Sequence, residues 1–225
     1  FGIGWNQLSN YNNAIKIEGI NNENSIVDRI VEITNGTLIE DLTNGSAYSQ
    51  MAWQTYLINP LTNENGLING EYVSNFSSNP KFQTKTLTTQ GSMHEFILSL
   101  GGSFQENLYV GATIGIPNFN YYEYSEYSER ETSDTSNALR SMSFEEEIST
   151  QGTGYNLKIG AIYRLSENLK IGGSIHTPTF FNITEDYNTS IATFFKDSTL
   201  DYSMGYLAPF NYNLITPLKA SISAS

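Results

Sequence analysis

Alternation with a period of two, interrupted by connections of very unequal length, constrains this chain more than any other feature. Between His94 and Phe104, the residues His94, Phe96, Leu98, Leu100 and Phe104 share one parity, while Glu95, Ser99, Gly101 and Ser103 take the other. After the short Gln105-Glu106-Asn107 connection, Leu108, Val110, Ala112, Ile114 and Ile116 oppose Tyr109, Gly111, Thr113 and Gly115. A second hairpin repeats the plan. Tyr155, Leu157, Ile159, Ala161, Tyr163 and Leu165 alternate with Asn156, Lys158, Gly160 and Arg164; after Ser166-Glu167-Asn168, Leu169, Ile171, Gly173 and Ile175 alternate with Lys170, Gly172, Ser174 and His176. Successive side chains of a strand point to opposite faces, so each segment predicts a strand that is apolar on one side only.

A soluble sandwich alternates too, and the connections separate the two cases. Sandwich loops have similar lengths at both ends, whereas outer-membrane barrels carry short periplasmic turns and long extracellular loops. Here the turns at Glu106 and Glu167 are short, and the long connections 20–88, 120–141 and 183–208 all fall at the other end. The expected strands are Phe1 to Glu18, Gln90 to Phe104, Asn107 to Phe119, Met142 to Leu165, Leu169 to Asn182 and Phe210 to Ser225. The expected fold class is therefore all-β: a transmembrane antiparallel β-barrel, with about six strands in this chain and a long helix-containing extracellular loop at 20–88. Six strands do not close a barrel of outer-membrane size, and the chain opens and stops inside strand-like segments, so residues 1–225 are expected to be part of a longer polypeptide.

Composition agrees with this reading. No run of apolar residues is long enough for a membrane helix, as expected where only alternate residues meet lipid. Phe119, Tyr121, Tyr122, Tyr124, Phe180, Phe181, Phe194 and Phe195 are expected to form an aromatic girdle where strands meet loops. Cysteine is absent, which excludes disulfides and thiolate chemistry. The net charge of −12 argues against nucleic acid as a partner. Glu123, Glu126, Glu129, Glu131, Asp134, Glu145, Glu146 and Glu147 concentrate acid in one loop, read either as a solvated surface or as a divalent-cation bridge to lipopolysaccharide.

The 20–88 segment carries two helical signatures. One follows the Asn24-Ser25 cap, has Asp28 in its first turn and runs to Asn35-Gly36. The other follows Asn44-Gly45-Ser46 and runs through Tyr48, Met51, Trp53 and Tyr56 to Asn59-Pro60. Their apolar faces pack on each other and the rim, or form a greasy groove.

The strings GWNQLSNYNNAIKIEG, SIVDRIVEITNG, LYVGATIGIPNFNYYE, GTGYNLKIGAIYRLSENLKIGGSIHTPTFFNITEDY and FNYNLITPLKAS together resemble the FadL/TodX-type outer-membrane transporters of hydrophobic compounds, in their Bacteroidetes-like branch. The resemblance implies a 14-stranded barrel with an internal N-terminal hatch, a helical extracellular docking groove and lateral release of substrate through the wall. It implies passive transport of hydrophobic small molecules such as long-chain fatty acids, in the bacterial cell outer membrane. In this sequence Ile26, Ile30, Met51, Trp53, Tyr56 and Leu57 are the residues expected to line the groove. Hatch and closing strands have no counterpart here. Pro117 and Pro178 each end an apolar run, marking either the rim or a kink in the wall.

No cofactor, metal site or enzymatic activity is expected. His94 and His176 have opposite parities and cannot jointly hold haem or a metal. Ser174 and His176 share a face, but two strand residues stand roughly 6.5–7 Å apart, too far for a nucleophile–base pair. Two other functions fit the pattern: a non-transporting barrel acting as partner or shuttle in a secretion or surface-attachment complex, and a soluble adhesin sandwich.

Overall fold

The computed structural model describes residues 1–63, 66–76, 80–132, 138–203 and 208–225. The chain is mostly antiparallel β. Strands β1 (Gly2–Asn10) and β2 (Asn13–Asn21) run end to end along β5 (Lys81–Phe104), which pairs with β6 (Leu108–Glu131), which pairs with β7 (Leu139–Ser166). Two strands continue the sheet beside β7, namely β8 (Leu169–His176) and β9 (Phe180–Phe195). Beyond them, β12 (Lys219–Ala224) lies on β8, while β11 (Phe210–Ile215) and β10 (Thr199–Ser203) lie on β9. The result is a six-rail meander in sequence order. Among the described residues it is open, with β1/β2 at one edge and β12, β11 and β10 at the other.

The short turns stand where the alternation puts them, and Gln105 and Glu106 turn the chain at φ 51° and 59°. The long connections do not. Strand β6 runs on to Glu131 and β7 starts at Leu139, so most of the expected 120–141 loop is an extended hairpin. Much of 183–208 is likewise β9 and β10. Asp134 and the tips 133–137 and 204–207 lie outside the described residues. Upper β6 places Tyr, Ser and Glu on both faces, so no hydropathy contrast announces it.

The lower half of the sheet has two unlike faces. On one, Ile3 and Trp5, Leu98 and Leu100, Val110 and Ile114, Ile159 and Tyr163, Ile171 and Ile175, and Ile222 are all exposed, so an apolar band crosses every rail. It is about nine residues tall on β5, β6 and β7, the span of a transmembrane strand. An aromatic row, Trp5, Phe96, Tyr155 and Phe180, closes the band. Directly above it stand His94, Asn118, Thr153 and Asn182. This corrects the expected girdle: of those eight residues only Phe180 belongs to the boundary row, and Phe119, Tyr121, Phe181 and Phe195 face the other way. Phe119 and Phe181 meet edge-on, their centroids 5.8 Å apart, over Gly152 and Gly154, where any Cβ would strike a ring.

The ladder is irregular at this level. At Gly91 (φ +124°) a Cβ would lie 2.2 Å from the Asn120 carbonyl oxygen, so glycine is required. Pro117 does not end its strand; it sits inside β6 opposite Glu95, and Ile116 and Pro117 drop out of the ladder with β7. Pro178 interrupts the rail between β8 and β9. Beside it β11 stops at Ile215 and β12 begins at Lys219, and the two breaks are stitched by Thr216 N–H to Thr179 O (3.0 Å) and Thr179 N–H to Thr216 Oγ1 (2.8 Å).

The segment between β2 and β5 forms a cap containing α1 (Ile26–Thr34), a 3-10 turn (Ile39–Asn44), α2 (Ala47–Gln54) and the hairpin β3 (Ile58–Asn63) and β4 (Gly66–Ser74). Ser25 caps α1 with a full capping box to Asp28. The second helix is shorter than the sequence suggests. It ends at Gln54, Tyr56 turns out at φ 53°, and Pro60 lies in a strand.

Candidate functional site

The residues expected to line a docking groove are divided by the fold. Met51 and Leu57 are 0% exposed and Ile30 is 5% exposed. They pack with Val27, Leu42 and Ile58 against Met142, Phe144 and Ile191 of the upper strands. Ile26 and Trp53 are half-buried against the same core, and Tyr56 alone is well exposed, at 58%. These six side chains therefore do not share an open apolar surface; most of them fasten the cap to the sheet. The periodicity that suggested a groove is the ordinary signature of a buried helix face. Polar ties reinforce the packing: Thr34 Oγ1 to Ser49 Oγ (2.7 Å) joins the helices, and Thr193 Oγ1 donates to Thr55 O (2.7 Å).

Glu129 fixes the start of α1. Its fully buried carboxylate accepts from Ile26 N (2.8 Å), Gln83 Nε2 (2.9 Å), Tyr127 OH (2.6 Å) and the Ser25 hydroxyl. An acid at a helix N-terminus meets unsatisfied N–H groups and the positive end of the dipole. In the sequence Glu129 reads only as one acid of a loop.

On the polar face, at the level of the rail breaks, a cluster joins β5, β7 and the Thr177–Thr179 break. Lys158 Nζ reaches both Glu95 oxygens, at 2.8 and 2.7 Å. Asn156 Nδ2 donates to Glu95 Oε1 (3.1 Å) and Thr179 Oγ1 (3.2 Å). A Cβ on Gly115 would sit 2.3 Å from Glu95 Oε1, so a larger residue there displaces the Glu95 carboxylate. His176 stands opposite Lys158, and the Asn156 Oδ1 and His176 Nε2 atoms are buried without a partner among the described residues. Glu95 and Lys158 are far apart in sequence, and only the register brings them together.

The two histidines lie on opposite faces. His94 stacks on Trp5 with centroids 5.4 Å apart, on the apolar side. The Ser174 hydroxyl is engaged by Ser221 (2.7 Å). Among the described residues no group of three His, Asp or Glu is arranged to hold a metal ion.

Higher up, Glu126 stands directly opposite Glu145, with Glu147 opposite Tyr124. Burial, reinforced by Glu126, Asp201 and Glu147, holds the Glu145 carboxyl above its ordinary value, against a hydrogen bond with Tyr124 that lowers it. Burial, then the neighbouring Glu145, Glu126 and Glu147, push the Tyr124 phenol up to about 12. No protein-family model, no curated protein and no solved structure matches this chain.

Proposed function

We propose that this chain is part of the wall of an outer-membrane β-barrel that passes hydrophobic small molecules, long-chain fatty acids among them, with the helical cap on the outside. One observation carries the membrane reading: an exposed apolar band about as tall as a hydrocarbon core, edged by an aromatic row and then by Asn, Thr and His, crosses all six rails. A watery solvent gives no reason for so large an apolar surface. The opposite face carries Lys158, Glu95, Ser174 and glycines, the polarity of a barrel interior. Lateral exit fits the paired breaks at Pro178 and Pro217, where two neighbouring rails are interrupted side by side. The acids above the band suit contact with lipopolysaccharide through divalent cations.

Uptake of a fluorescent long-chain fatty acid by cells lacking their own transporter tests transport, with surface expression matched. Uptake above the empty-vector level is expected, and a background level from correctly assembled protein would refute it. The closed cap favours a second reading, a non-transporting barrel that serves as partner in a secretion or attachment complex, because Met51 and Leu57 offer a ligand no surface.

A further inference from the structure

The polar face of β7, β8 and β12 gathers basic side chains, most of them without a carboxylate partner among the described residues. Lys158, His176 and Lys219 stand in one cross-strand row, and Arg164 opposite Lys170 forms another near the turn end. Between the rows lies a trough of ≈ 380 Å³ whose floor is mostly Gly and Ser, including Gly160, Ser174 and Ser221. Six strand residues separate the rows, roughly 20 Å.

Four of the eleven Lys and Arg of a chain with net charge −12 meet here. Elsewhere Lys16, Arg29 and Lys81 each sit against a carboxylate. Among the described residues none lies within ion-pair distance of Arg164, Lys170 or Lys219, and only Lys158 is neutralised, by Glu95. Arg164 Nε and His176 Nε2 are buried with no hydrogen-bond partner among the described residues. A buried N–H without an acceptor and like charges directly opposite in a sheet are both unfavourable, and an anion held beside Arg164 and Lys170 relieves both.

We propose that this trough is an anion track, which holds small hydrated inorganic anions and gives a pore lined by it a preference for anions. Its floor carries the Ser174, Ser221 and Ser223 hydroxyls and glycine backbone beside Tyr109 and Ile162, which gives a hydrated ion hydrogen-bonding partners that an acyl tail does not use. The track is independent of the transport of apolar compounds.

Chloride is the probe. The ³⁵Cl line width is measured over the folded full chain in a zwitterionic detergent, then with inorganic phosphate as competitor. Excess broadening that phosphate reverses is expected. The variant R164Q/K170Q/K219Q should lose most of it, whereas K16Q/R29Q/K196Q, which removes equal charge elsewhere, should keep it; circular dichroism confirms that both are folded. K219Q alone, on the exposed edge strand, should lower the broadening and serves if the triple variant folds poorly. No excess broadening in the wild type, or equal broadening after removal of either set of charges, overturns the track. Fatty-acid uptake is read separately, so the two proposals fail separately.

Discussion

Replacing Glu129 with glutamine should release α1 from the sheet while leaving the strands below intact. The carboxylate is fully buried and accepts from Ile26 N, Gln83 Nε2, Tyr127 OH and the Ser25 hydroxyl. Glutamine keeps one acceptor oxygen and turns an N–H₂ group toward groups that are themselves donors. Loss of the negative charge at the helix N-terminus costs about 0.3–2 kcal/mol. One buried donor left unmatched adds about 1–3 kcal/mol. The capping box survives, since Ser25 Oγ still accepts from Val27 N (3.0 Å) and Ser25 N still donates to Asp28 (2.8 Å). A helix this short is marginal alone, so its amide protection reports docking. Hydrogen exchange of the α1 amides should accelerate by roughly 10- to 3,000-fold, taking about 1.4 kcal/mol per decade. Amides of β6 between Leu108 and Ile116 should not change. Unchanged exchange in α1, or equal acceleration in lower β6, would show that Glu129 does not hold the cap to the sheet.

Three further outcomes follow from the packing and charges. Met51→Ala empties a fully buried site and should destabilise the cap by about 2–5 kcal/mol, read by limited proteolysis of the cap against urea. Gly154→Ala places a Cβ 2.7 Å from the Phe181 ring and should lower stability by about 1–3 kcal/mol in denaturant unfolding. Glu145 binds its proton more tightly folded than unfolded, so its contribution is fully present below its unfolded pKa and is lost as pH rises through the raised folded value. Glu145→Gln should flatten that part of the stability–pH curve, and an unaltered curve would remove Glu145 as its source.

The lower strands and both short turns are legible in the sequence because one face of each strand is apolar and the other is not. The upper halves of β6 and β9 are not, since Tyr124, Glu126 and Asn188 alternate with equally polar neighbours, whereas β7, expected from Met142, starts at Leu139. Helix α1 is legible from Ser25 and Asp28, which cap it locally. The end of α2 is not: Tyr56 and Leu57 continue the apolar run, and only the turn at Tyr56 stops the helix. The pairs that matter at the candidate sites, Glu95 with Lys158 and Glu129 with Ile26, join residues distant in sequence. Parity places Glu95 and Lys158 on one face; only the strand register puts them in contact.

Whether the apolar face meets lipid is read at the neighbouring residues 159 and 160. Ile159 is exposed on the apolar face, and Gly160 points the other way beside Ser174. Ile159→Cys and Gly160→Cys, each carrying a bimane label, are reconstituted in bilayers containing a lipid with a nitroxide on its acyl chain. Strong quenching by the lipid at 159 and little at 160 is expected, with the reverse order for a water-soluble quencher. Equal quenching at both positions, or water access at both, would contradict it.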